Sequence, residues 1–193
     1  MDYQQTAERL SDYRRRIKGL REEMRQVQAE VEPEPVDDYR FRTRGGEVAL
    51  SELFGGKDTL FVIHNMGKGC NNCTLWADGF NGVLQHLQDR AAFVVSSPDD
   101  PETQQAFAAS RGWRFRMVSH QGSSFAADMG YGRDGKCWPG VSVFRRDGGR
   151  IVRVSDTGFD EGDAFCAVWH FLDLLPEGKA GWAARRQYDE AAS

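Results

Sequence analysis

No apolar run in the 193-residue chain approaches the roughly 20 residues that a membrane-crossing helix needs, so no membrane partner is expected. The opening residues, Met1-Asp2-Tyr3-Gln4-Gln5, lack a basic region leading into an apolar stretch. No secretory signal is therefore expected, and the cytoplasm is the expected location. Positive charge is not in excess: 25 Lys and Arg stand against 29 Asp and Glu, for a net charge of -4 and a pI near 5.6. That balance argues against nucleic acid as a main partner. Internal repeats and low-complexity tracts are also lacking. Cysteine is scarce, with four residues. In a reducing compartment, four thiols point to redox chemistry or metal more than to structural disulfides.

Two of the four form Cys70-Asn71-Asn72-Cys73. The pair follows an apolar run, Thr59-Leu60-Phe61-Val62-Ile63, and precedes a stretch that reads as a helix to about Gln88. A strand delivering two cysteines to a helix N-terminus is the layout of a dithiol redox site. Two intervening residues place both sulfurs on one turn. The helix end supplies unpaired N–H groups and partial positive charge, which favour thiolate over thiol. Cys70 is nearer that end and is expected to be the nucleophile, with Cys73 the resolving thiol.

Three segments are expected: an amphipathic helix within residues 1–32, a domain over 36–176 and a loose C-terminal tail over 177–193. Leu10, Tyr13, Ile17, Leu20, Met24, Val27 and Val31 recur at alternating steps of three and four, a heptad pattern. With Arg9 and Arg16 at g and Arg14 and Arg21 at e, a parallel pair of these helices is repulsive, whereas an antiparallel pair sets Arg16 against Glu23 and Arg9 against Glu30. A homodimer through this helix is one expectation; docking of the seam on the chain's own domain is the other. Pro33 and Pro35 stop the helix.

In the domain, Tyr39 to Thr43 alternates like a strand and Ala49 to Phe54 reads as a short helix. Ala91 to Val95 is a second buried strand, giving a βαβ unit with a parallel pair. Asp100-Pro101 opens the next helix and Gly112 closes it. Phe115 to Val118 reads as a strand, residues 120–137 resist assignment, and Arg146-Asp147-Gly148-Gly149 marks a hairpin between Val141–Phe144 and Ile151–Val154. A last helix is expected from about Asp160 to Leu174.

That order resembles the thioredoxin-like superfamily, with extra N-terminal strands of the peroxiredoxin and redoxin kind. Trp138-Pro139-Gly140-Val141-Ser142-Val143-Phe144 is similar to the thioredoxin segment in which a cis-proline precedes the hairpin strand. More narrowly, Cys70-x-x-Cys73-x-x-Trp76-Ala77-Asp78-Gly79-Phe80, with Gly112-Trp113 and Ser142-Val143-Phe144, resembles a bacterial family of predicted dithiol-disulfide oxidoreductases of unknown function.

The resemblance implies an α/β, thioredoxin-like fold, a central mixed β-sheet flanked by helices, and thiol-disulfide exchange with protein or low-molecular-weight thiol or disulfide substrates. No cofactor is expected. It further implies a cis Trp138–Pro139 bond facing Cys70, and a proton-transfer role for His64, which stands where thioredoxins carry a buried acid. Lys68 is a candidate to stabilise a Cys70 thiolate, and Cys137, two residues before Pro139, is a candidate third thiol. Three other readings stay open. A redox sensor or adaptor changes shape on oxidation without turnover. A thiol peroxidase would carry a threonine three residues before its cysteine, where this chain has Gly67. A zinc site would join Cys70 and Cys73 to Cys166 and His170, which lie four apart on the last helix.

Overall fold

The computed structural model describes residues 2–188. It divides into two units, residues 1–33 and 34–193. The first is one helix, α1 (Tyr3–Ala29), capped by the Asp2 carboxylate, which accepts from Gln5 N–H at 2.8 Å. None of its residues is buried, and the seam from Leu10 to Val27 is 46–70% exposed.

The second unit contains β1 (Glu34–Val36), β2 (Arg40–Thr43), β3 (Gly46–Ala49), α2 (Leu50–Leu53), β4 (Thr59–His64), α3 (Asn71–Arg90), β5 (Ala92–Ser97), α4 (Pro101–Arg111), β6 (Arg116–Ser119), α5 (Phe125–Asp128), β7 (Gly132–Arg133), β8 (Lys136–Cys137), β9 (Gly140–Asp147), β10 (Arg150–Gly158) and α6 (Ala167–Leu172). Eight strands form one mixed sheet in the order β1-β10-β9-β4-β5-β6-β2-β3, and β7 pairs with β8 apart from it. β4, β5 and β6 run parallel; the other pairings are antiparallel.

β4 is apolar at every position but its ends because helices cover both faces of the sheet. Leu60 and Val62 point into a core with Phe41, Leu50, Leu53, Phe125 and Phe144. Ile63 points the other way, into a core with Trp76, Phe80, Val95, Trp113 and Trp169. α4 starts on the Asp100 carboxylate, which accepts from Thr103 N–H at 2.9 Å, and ends at Gly112 with φ 66°, a left-handed residue that glycine adopts without penalty.

Several expectations need correction. Helix α1 does end before Pro33, but the segment just after it, where no strand was expected, forms β1; Pro35 is tolerated there because β1 is an edge strand. The last helix begins at Ala167, not near Asp160. The Asp163 carboxylate accepts from Phe165 N–H at 2.8 Å and Asp160 N–H at 3.2 Å, bonds that hold residues 160–165 in turns instead of helix. The tail is not loose over its described part: Trp182 packs edge-on against Trp169, with centroids 5.8 Å apart, and Ala184 is buried. Residues 189–193 lie outside the described residues. Trp138–Pro139 is trans, as is every other peptide bond among the described residues. Trp138 N–H donates to the Tyr131 carbonyl at 2.9 Å, and the Pro139 carbonyl accepts from Phe159 N–H at 2.9 Å. Bonds on both sides carry the chain straight from β8 into β9.

Candidate active site

The carboxyl ends of β4, β5 and β6 lie at one end of the sheet, where a parallel sheet leaves room for a ligand. β4 ends at His64; residues 65–69 then turn into α3. Gly67 has φ 97°, and a Cβ there would lie 2.9 Å from an Asp99 carboxylate oxygen, so glycine is required. That carboxylate instead accepts from Lys68 N–H at 2.7 Å, while Asn65 Oδ1 accepts from Gly67 N–H at 2.8 Å. These bonds fix the approach of the chain to Cys70.

Cys70 is the N-cap of α3, and its sulfur occupies the place a serine or aspartate oxygen usually takes. Cys73 N–H donates to Cys70 Sγ at 3.0 Å. The Cys70 carbonyl accepts from the hydroxyl of the buried Thr74 at 2.9 Å. Cys70 is half-buried; Cys73 is buried, and its sulfur accepts from Met66 N–H at 3.4 Å. A hydrogen bond from the Cys73 thiol, helped by the N–H groups of Cys73 and Asn72, lowers Cys70 from 9.0 to about 7 against the opposing effect of burial. Donation to Cys70, then burial, pushes Cys73 up. Near neutral pH the outer sulfur is therefore thiolate in a substantial fraction of molecules, while the inner one stays protonated.

Cys70 opens on a cavity of about 1050 Å³, whose walls include Met66, Trp76, Lys136, Cys137, Trp138 and Pro139. Glu161 and the C-terminal Ala183 and Ala184 close it from the other side. The structure thus brings Cys70 and Pro139 to one cavity. Lys68 is exposed two residues from Cys70.

His64 is placed differently. It is 2% exposed, is not among the residues lining the cavity, and its ring stacks on Tyr131 with centroids 3.9 Å apart. Nε2 pairs with Ser142 Oγ at 2.9 Å, while Nδ1 is buried with no hydrogen-bond partner. Burial first, then His120 and Arg153, lowers its pKa from 6.5 to about 3. A ring so reluctant to take a proton is a poor base at neutral pH and serves here as a core element.

Sequence reasoning passed over His120, just beyond β6. It is buried; Nδ1 pairs with Ser96 Oγ at 2.9 Å and Nε2 faces Cys137 Sγ at 3.8 Å. The signal was a histidine closing a strand that runs parallel to β4, at the same end of the sheet. Cys166 is buried in the core as the N-cap of α6, and His170 is exposed. Among the described residues no three His, Cys, Asp or Glu side chains are grouped to hold a metal ion, so the four-residue zinc arrangement is not formed. Among the described residues no helix is long and apolar enough to cross a membrane.

Solved structures share this architecture. The peroxidoxin BcpB from Mycobacterium tuberculosis is 24% identical with a TM-score of 0.53, the match covering 65% of this chain and 84% of that one. Reduced Prx3 from Vibrio vulnificus, in complex with hydrogen peroxide, is 13% identical with a TM-score of 0.55, over 69% and 90%. AhpC from Enterococcus faecalis is 15% identical with a TM-score of 0.54, over 68% and 82%. At these identities the likeness shows the fold, which is thioredoxin-like. No curated protein matches the chain. The model of the family described as "Bacterial protein of unknown function (DUF899)" matches residues 4–190, nearly the whole length, and the chain belongs to that family.

Proposed function

We propose that the protein is a thiol-disulfide oxidoreductase with Cys70 as nucleophile and Cys73 as resolving thiol. The observation that carries this reading is the asymmetry of the pair: an outer sulfur at a helix N-cap with its pKa lowered to about 7, beside an inner, protonated one. The thiolate is the attacking species, and a thiol with a pKa near ambient pH combines availability with nucleophilicity. Cys70 attacks one sulfur of a disulfide substrate and releases the other as a thiolate. The Cys73 thiol then loses its proton, attacks Cys70 Sγ and expels the second substrate thiolate. The protein gains one disulfide and the substrate gains two electrons. Trp138 and Pro139 form a wall for the substrate. The substrate is a protein or low-molecular-weight disulfide.

A thiol peroxidase is the second reading, favoured by the fold shared with proteins named peroxidoxin and peroxiredoxin. Gly67 three residues before Cys70, where those enzymes carry threonine, weighs against it. The test supplies a dithiol reductant in excess and compares disulfide with hydrogen peroxide as substrate. Repeated turnover of the disulfide, lost in Cys70→Ser, is the expected result. Turnover of peroxide alone would favour the peroxidase, and a single oxidation without cycling would make the protein a sensor.

A further inference from the structure

Two features near the dithiol are unused by the exchange just described: the Cys137 thiol and the buried His120 imidazole. They touch. Cys137 Sγ lies 3.8 Å from His120 Nε2, within hydrogen-bonding reach of a sulfur, and Cys137 lines the same cavity as Cys70. With its proton on Nδ1, donated to Ser96 Oγ at 2.9 Å, His120 presents Nε2 as an acceptor aimed at the thiol. The imidazole is 6% exposed and fixed from behind by β5. Cys137 ends β8, one strand of a two-residue ribbon that turns through Asp134 and Gly135, both left-handed, and that pairs with no other strand among the described residues. Lying outside the main sheet, with no further described strand beside it, the Cys137 end of the ribbon is suited to carry a sulfur across part of the cavity.

We propose that Cys137 is a second resolving thiol, which lines the same cavity as Cys70 and closes a Cys70–Cys137 disulfide. The step rests on the dithiol-exchange reading, since it needs a mixed disulfide on Cys70. Cys137 Sγ attacks Cys70 Sγ; the Cys70–substrate S–S bond breaks as the Cys70–Cys137 bond forms. Cys137 is oxidised and the substrate sulfur reduced. His120 Nε2 accepts the hydrogen bond of the Cys137 thiol and aims the sulfur; the thiol proton is lost to solvent as the sulfur attacks, and the substrate sulfur departs as a thiolate. Burial raises the Cys137 pKa, so the thiol is protonated at rest; burial also lowers His120 from 6.5 to about 4, so the imidazole stays neutral and its Nε2 accepts the thiol's hydrogen bond without taking the proton. His120 is a positioning residue, because it acts through Cys137. One consequence is that Cys73→Ser alone does not hold a partner on Cys70; Cys73→Ser/Cys137→Ser does.

An aromatic disulfide that releases a coloured thiolate tests this with peptide mapping. Trypsin places Cys70 and Cys73 on peptide 69–90, Cys137 on 137–145 and Cys166 on 154–179. The folded Cys73→Ser variant is expected to release two equivalents of thiolate and to yield peptides 69–90 and 137–145 joined by a disulfide. Cys73→Ser/Cys137→Ser is expected to release one and to keep the aromatic adduct on 69–90. Adding His120→Gln to Cys73→Ser is expected to leave the first release unchanged and slow the second about tenfold, the scale of one lost hydrogen bond. One equivalent and a retained adduct in Cys73→Ser, separate adducts on both peptides, or a link to 154–179 would overturn the role of Cys137 alone. Absence of the first equivalent in both variants would overturn the dithiol reading and this step with it.

Discussion

Cys73 N–H points at Cys70 Sγ across 3.0 Å, so the inner cysteine supports the outer sulfur through its backbone as well as through its thiol. The two contributions separate by mutation.

The rate of Cys70 alkylation should follow the thiolate fraction and rise with pH through a midpoint of about 7. Cys73→Ala removes the thiol donor, the largest contribution, and leaves the N–H. Its midpoint should move up from about 7 toward the ordinary thiol value, since burial, which raises it, is then opposed only by the backbone N–H groups. An unchanged midpoint would mean that the helix end alone sets Cys70.

Acid should destabilise the domain through its two buried imidazoles. His64 and His120 have folded pKa values of about 3 and about 4, both below 6.5, so between those values and 6.5 the unfolded chain binds protons that the folded chain refuses. Stability is then complete above about pH 6.5 and falls below it by about 1.4 kcal/mol per pH unit for each histidine. Urea unfolding at pH 7 and pH 5 measures the slope. His64→Leu should roughly halve it, at a cost of about 1–3 kcal/mol at pH 7 for the Ser142 hydroxyl left unpaired.

Gly140 begins β9 where no side chain fits. A Cβ there would lie 2.1 Å from Tyr131 Cε1 and 2.7 Å from the Thr157 carbonyl. Gly140→Ala should therefore cost at least the roughly 1–3 kcal/mol of an overpacked core, because Tyr131 is also held by stacking on His64 and by donating to Asp156 at 3.0 Å. Thermal unfolding checks this; a wild-type midpoint would contradict the packing around Tyr131.

Helix α1 carries an apolar seam with arginines toward one end and glutamates toward the other. If two copies pair antiparallel, Arg16 meets Glu23 of the second copy. Arg16→Glu should weaken association and the added Glu23→Arg should restore it. The change per pair should be small, about 0–1 kcal/mol, since such pairs are exposed. Sedimentation of the variants and of a chain lacking residues 1–30 reads this directly. Restoration would fail for a parallel pair.

Much of this architecture was legible in the sequence. Continuous apolar runs marked β4 and β5, and Asp100-Pro101 with Gly112 marked both ends of α4, because caps are local chemistry. What stayed hidden depends on contacts distant in sequence. β1 contains Pro35 and becomes a strand only through its pairing with β10. Residues 120–137 form short pieces joined by local turns and tied to the sheet by distant bonds, His120 N–H to Ser97, the Tyr131 hydroxyl to Asp156 and Arg153 to the Met129 carbonyl, which leave no periodic pattern in the sequence. The site was legible as far as Cys70 and Cys73 on one turn. The facing of Cys137 and His120 was not, because it arises where β6 and β8 meet, and no spacing rule connects positions 17 apart. His64 misled for the opposite reason: its position matched an active-site acid, but Tyr131, Phe125 and Ser142 enclose it.

The most direct test of the central claim is the mass of peptide 69–90 after the reduced protein is equilibrated with a glutathione redox buffer and quenched by alkylation. The account predicts that, as the buffer becomes more oxidising, this peptide loses two hydrogens, resists alkylation at both Cys70 and Cys73, and recovers on return to a reducing buffer. A peptide that stays fully alkylated under all buffers, or one that carries glutathione on Cys70 and never closes a protein disulfide, would contradict it.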